Sequence, residues 1–191
     1  LTQAEKMQRM FTFHGQALLV SNFLKSEEQF PSGLPSHLIL SVFDFGLDLL
    51  SVDVLSAPIS TRNITCSLVR AGSLIVSSCL NKGYKVIKTK MTDLIDIYDL
   101  IFKSITAAHT GTASSDQSSN PFDSGDGTAA AGGVRQDDVL YEMMYMEAAL
   151  VCLSSLLWSC PEALLYEDNC LALVTNGLES AYRIAKGKYQ P

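Results

Sequence analysis

The segment RAGSLIVSSCL, which spans residues 70–80, decides the fold because its pattern occurs two further times in the chain. HGQALLVSNFL lies at residues 14–24 and EAALVCLSSLL at residues 147–157, and the three copies align without a gap. The second position of each copy is glycine or alanine, and the eighth and ninth are serine or asparagine. Self-similarity of this kind is typical of repeat proteins. We therefore expect three copies of one helical unit, in which small residues let neighbouring helices approach closely.

A leucine lies fourteen residues beyond the end of each copy, at Leu38, Leu94 and Leu171. This register predicts a unit made of a helix, a short turn and a second helix. The copies begin 56 and 77 residues apart, and removal of a loose segment of about 27 residues reduces the second spacing to about 50. HEAT and armadillo units of roughly 40–47 residues are slightly shorter, and the tetratricopeptide unit of about 34 is much shorter.

The repeat predicts how the core is built, because one helix pair cannot bury its apolar face alone and repeated pairs stack into a continuous core. We expect an all-α fold, an α-solenoid of HEAT-like antiparallel helix pairs with three pairs and six helices. A six-helix globular bundle with chance internal similarity is the alternative. Neither end of the array carries a polar cap, so we also expect exposed apolar faces at both ends.

Apolar residues at steps of three and four predict the individual helices, and no segment has the pattern of a strand. Pro35 and Pro161 suit a first helical turn, and Gly83 is placed for a left-handed cap. The predicted helices span residues 3–25, 35–53, 61–82, 85–107, 137–159 and 161–186.

The domain organisation follows from these helices. Residues 1–108 hold two HEAT-like pairs, residues 137–187 hold the third, and residues 188–191 form a truncated linker. Between the pairs, residues 109–136 are rich in Ser, Gly, Thr and Asp, a composition that predicts a flexible insertion. The chain starts at Leu1, inside a predicted helix and without an initiator methionine, so we expect a segment of a larger protein.

Composition narrows the classes of function. The 191 residues are 47% hydrophobic and 18% charged, with a net charge of −6. This charge argues against electrostatic binding to nucleic acid or to an anionic membrane. The most apolar stretch, Leu38 to Leu55, is interrupted by aspartates, so we expect no transmembrane segment and only peripheral membrane association through partners. Five cysteines without a CxxC pair predict reduced thiols and an intracellular location.

The chain lacks the patterns that carry catalysis. His14, His37 and His109 lie far apart, and none pairs with Cys or Asp at metal-ligand spacing. Phosphate-binding loops and nucleophile-elbow motifs are also missing from the sequence. We predict that the protein is not an enzyme, with no metal and no cofactor.

Five aspartates on the predicted second helices form a candidate binding surface. Asp44 and Asp48 are spaced i,i+4, and Asp93, Asp96 and Asp99 are spaced i,i+3. In solenoids the second helices commonly line the concave surface. An acidic concave surface would prefer basic segments of a partner, whereas an ordinary solvated helix face is the alternative.

Asn120-Pro121-Phe122 in the insertion is a second candidate partner site. Asn-Pro favours a tight turn that presents the phenylalanine, and Asn-Pro-Phe turns are ligands of EH domains in endocytic proteins. The motif therefore predicts EH-domain proteins as possible partners, with chance occurrence as the alternative.

Several of these segments resemble the HEAT-repeat-containing protein 5 family. The helix start at His14–Leu18 (HGQAL) and the turn at Phe30–Pro35 (FPSGLP) are similar to a His/Ser-x-x-Ala-Leu helix and a Pro-x-Gly-aliphatic-Pro turn of that family. Arg70–Ile75 resembles its Gln-Ala-Gly-Trp-Leu-Leu-Ile helix, and Glu147–Leu150 its Arg-Ala-Gly-Ala-Leu segment. The resemblance covers most of the helical chain and skips residues 109–136.

The resemblance implies a non-catalytic protein-binding scaffold segment in clathrin-adaptor-dependent vesicle transport. Members of the family are large cytoplasmic proteins found peripherally at the trans-Golgi network and endosomes, with the clathrin adaptor complex or its accessory proteins as partners. Ser73 stands where the family has a bulky aromatic residue, and no binding residue of the family can be assigned to a position here. A segment of another intracellular α-solenoid, such as a nuclear-transport receptor or a signalling scaffold, is the alternative.

Overall fold

The computed structural model describes residues 2–26, 33–113 and 136–188, and over these residues the chain forms helices and turns without a strand. The all-α prediction is therefore confirmed. A short 3-10 turn at Lys88–Lys90 leads into one of the long helices. The α-helices are α1 (Gln3–Lys25), α2 (Ser36–Leu50), α3 (Ile59–Leu80), α4 (Tyr84–Ile87), α5 (Met91–Ala113), α6 (Gln136–Ser159), α7 (Ala163–Tyr166) and α8 (Cys170–Lys188).

Two predicted helices are each divided in the structure. The helix predicted over 85–107 is split into α4, the 3-10 turn and α5, and α5 continues to Ala113, into the segment predicted as loose. The helix predicted over 161–186 is split into α7 and α8, because Glu167 adopts an extended conformation after α7. The last helix also reaches Lys188, which was predicted to belong to the linker.

The α2–α3 region also differs from the prediction. α2 ends at Leu50 instead of residue 53, because the Asp53 carboxylate accepts the backbone N–H of Leu55 at 3.0 Å and holds a turn there. Gly83 has a φ of +90°, a value that favours glycine, but the predicted left-handed cap at this residue is wrong. Its ψ of 157° lies outside the left-handed helical region, and Gly83 precedes α4 two residues after the cap of α3.

The helices share one continuous apolar core in which α3 is central. α3 packs against α1, α2 and α6, while α5 packs against α2, α6 and α8. The α2–α3 contact is the tightest, because glycines let the two backbones touch: a Cβ added to Gly72 would lie 2.8 Å from the carbonyl oxygen of Gly46. At the α5–α8 contact, Gly177 lies under the ring of Phe102. A Cβ built on this glycine would lie 2.6 Å from the Cζ atom of the ring.

Two helices are long and apolar enough to cross a membrane by length and composition alone. They are Ser60–Leu80 in α3 and Leu140–Ser159 in α6, of which 56% and 50% are buried inside the fold. The packed core helix of a soluble protein passes the same test, so these two helices are only weak evidence for a membrane span. The expected lack of a transmembrane segment stays a prediction.

Candidate protein-binding surfaces

The contacts between α1, α3 and α6 follow the sequence repeat. Ser21 of α1 and Ser78 of α3 share a buried hydrogen bond with 2.6 Å between their Oγ atoms. Ser77 of α3 occupies the same repeat position as Ser21, and its hydroxyl donates to the Cys152 sulfur of α6 at 3.8 Å. The Cys152 thiol in turn donates to the carbonyl oxygen of Ser73 at 3.3 Å. In both contacts, therefore, the eighth residue of one copy faces the helix of the next copy.

The buried residues around these serines extend the same relation. Residues four positions before and three positions after the serine are buried in both α1 and α3: Ala17, Leu24, Ser73 and Leu80. We call this side of a repeat helix its forward face. In α6 the forward face comprises Leu150, Ser154 and Leu157, of which Ser154 is exposed and the two leucines are only partly buried.

Beside the forward face of α6, the structure exposes two large apolar side chains. Val151 is 41% exposed and Trp158 is 88% exposed. Together with Leu150, Ser154 and Leu157 they form a surface that we call the α6 end face. Within the described chain, Leu150 and Leu157 pack against the core with one side, and the other three side chains are exposed.

The opposite end of the array has an exposed surface on α1. Leu19 is 71% exposed, whereas the equivalent residues Ile75 in α3 and Cys152 in α6 are 1% and 0% exposed. Val20 is 37% exposed, and its equivalents Val76 and Leu153 are buried. Gln16 is exposed as well, whereas its equivalents Gly72 and Ala149 are buried. We call Gln16, Leu19 and Val20 the α1 end face.

The helix that covers each equivalent surface explains the difference in exposure. Gly46 of α2 lies against Ile75 and Val76 of α3, with 2.9 Å between a Cβ built on the glycine and Val76 Cγ2. Tyr98 of α5 lies beside Cys152 of α6, so α5 covers this part of α6, although in a much smaller contact than that of α2 with α3. No helix of the described chain occupies that place on α1. Exposed apolar end faces were expected from the repeat, and their individual residues required the structure.

The five aspartates of the predicted acidic surface do not form a continuous negative patch. Asp44 on α2 pairs with Lys90 at 2.9 Å, and Lys90 also contacts Asp93 on α5 at 3.8 Å. The hydrogen bond and charge of Asp44 raise the pKa of Lys90. Asp99 pairs with Lys103 at 2.5 Å within α5.

The remaining two aspartates of this set, Asp48 and Asp96, are exposed, and within the described ranges neither forms a salt bridge. Two lysines therefore offset part of the charge, and the uncompensated carboxylates are those of Asp48 on α2 and Asp96 on α5. An acidic site on this side of the molecule would depend mainly on these two residues.

A groove of about 490 Å³ runs between α5 and α8. The Asp99–Lys103 and Glu179–Arg183 ion pairs lie along it, and the ring of Phe102 forms part of its wall. Because its charges are already paired within each helix, the groove offers a partner little net charge.

The histidines and the insertion motif give no assembled site. His14 is partly buried in α1 and His37 is exposed at the start of α2, and His109 lies in the last turns of α5. In the described parts of the chain, no group of three or more His, Cys, Asp or Glu residues is arranged to hold a metal ion. Asn120-Pro121-Phe122 lies outside the described residues, and its role stays a prediction.

All five cysteines are buried, and none of them is paired in a disulfide. Burial raises the pKa of Cys66, Cys152 and Cys160 to about 11 and that of Cys79 to about 12, and it also raises the pKa of Cys170. A thiol with so high a pKa is a poor nucleophile at neutral pH. The cysteines therefore act as small packing groups, and Cys152 and Cys160 also donate to backbone carbonyl oxygens.

In comparisons with models of protein families, with curated proteins and with solved structures, nothing matches this chain.

Proposed function

We propose that the chain is a non-catalytic protein-binding segment of an α-solenoid made of HEAT-like helix pairs. The observation that carries the proposal is the repeated contact of one register position: Ser21 faces α3, and Ser77 faces α6. A globular bundle with chance similarity has no reason to use the same position twice. Stacked repeats do so, because each unit presents the same face to the next; the residues that the two serines meet differ, since Ser78 is the ninth residue of its copy and Cys152 the sixth.

We further propose that this scaffold acts in clathrin-adaptor-dependent transport between the trans-Golgi network and endosomes. The support is the resemblance of residues 14–18, 30–35, 70–75 and 147–150 to the HEAT-repeat-containing protein 5 family. Gly33, the first described residue of this part of the chain, has a φ of +67°, a conformation in which glycine is strongly preferred, and glycine at this position is part of the resemblance.

Binding of the purified chain to purified clathrin adaptor complexes tests the function directly. We expect saturable binding that weakens as the salt concentration rises, because Asp48 and Asp96 present uncompensated carboxylates. The double variant Asp48→Asn/Asp96→Asn should weaken binding by about tenfold at low salt. The control Glu162→Gln/Asp168→Asn removes the same amount of charge from exposed positions around α7 and should leave binding unchanged.

The outcomes separate the alternatives. No binding to any adaptor complex would refute the trafficking role, and binding to a Ran-type GTPase, a kinase or a phosphatase would favour another α-solenoid. A binding affinity that does not change with salt concentration would show that the acidic residues take no part in the contact. The EH-domain prediction is tested separately with Phe122→Ala, since unaltered binding of an EH domain to this variant would end that idea.

A further inference from the structure

We draw no further inference here: the strongest candidate, the surface patch between α4 and α7 that Lys88 and Tyr166 form around the ring of Tyr84, carries nothing because a carboxylate of α7 adjoins it and offsets the lysine charge, and nothing in the structure shows what covers it.

Discussion

Gly72 of α3 lies directly against Gly46 of α2, so that a Cβ on Gly72 would stand 2.8 Å from the Gly46 carbonyl oxygen and 3.0 Å from the Leu50 nitrogen. These neighbours are backbone atoms, which cannot rotate away. We expect Gly72→Ala to lower the free energy of unfolding by about 1–3 kcal/mol, because the two helices must separate. Urea denaturation measures the change.

Gly15 provides the matched control for this prediction. It is also a helical glycine, but a Cβ there meets nothing within 4 Å, and the other two repeats carry alanine at this position. Gly15→Ala should therefore raise the free energy of unfolding by about 0.5–1 kcal/mol, because alanine restricts the unfolded chain. Equal effects of the two substitutions would contradict the close contact between α2 and α3.

The serine pair between α1 and α3 should respond unequally to alanine. Ser78 hydrogen-bonds Ser21 and also donates to the carbonyl oxygen of Leu74 at 2.9 Å. Ser78→Ala leaves the buried Ser21 hydroxyl without this partner, so we expect a loss of about 1–3 kcal/mol in the free energy of unfolding. Ser21→Ala leaves Ser78 bonded to Leu74 and should cost less than about 1 kcal/mol. Thermal unfolding of both variants decides the order, and equal losses would contradict it.

Asp53 should make stability depend on pH in the acid range. Burial raises the pKa of this carboxyl, but hydrogen bonds from Ser56, Leu55 and Ser104 outweigh that effect and lower the pKa below its usual 3.8. A lowered pKa in the folded state means that Asp53 stabilises the fold above pH 3.8, and that this contribution is lost as pH falls through the lower, folded value.

The comparison of wild type with Asp53→Asn isolates this contribution. The difference between their free energies of unfolding should be constant between about pH 5 and 7 and should shrink below about pH 4. Urea denaturation at each pH gives the values. A difference that stays constant down to about pH 2.5 would show that the hydrogen bonds from Ser56 and its neighbours do not favour the charged form.

Thiol labelling should be slow in the folded protein. All five cysteines are buried, and their pKa values are raised, so at pH 8 few thiolates form and reagents have little access. We expect labelling by a disulfide reagent to be at least about 100-fold slower than in denaturant. Thr92→Cys adds an exposed thiol on α5 and should react quickly. Rapid labelling of the wild type without denaturant would contradict the burial of these side chains.

The helical class follows from the sequence, whereas the contacts of the repeated serine position do not: Ser21 and Ser77 are buried against different residues, and Ser154 is exposed. The break before α5 could not be predicted from periodicity. Ile87 and Met91 are both fully buried and spaced i,i+4, so the apolar pattern of a helix continues across the 3-10 turn between them. The hydrophobic period indicates which side chains face the core, but it does not indicate how the backbone connects them.

The leucines Leu38, Leu94 and Leu171 show where repeat logic fails. Their equal spacing predicts equal roles, but Leu94 is fully buried and the other two are exposed. Leu94 belongs to α5, which has α2 on one side and α8 on the other, whereas α2 and α8 each lack one such neighbour among the described helices. A repeat therefore predicts the environment of its middle copy best. The ion pairs of Asp44 and Asp93 could not be predicted either. Their partner Lys90 lies in the 3-10 turn, which the apolar pattern did not indicate.

The recurrence of one contact at Ser21 and Ser77 has an evolutionary consequence. A gene segment that encodes such a unit can be duplicated in tandem, and the added copy meets its neighbour through a surface that selection has already shaped. Growth of the protein then needs no new complementary pair of surfaces, and each copy is free to diverge on its outer side, where different ligands are recognised.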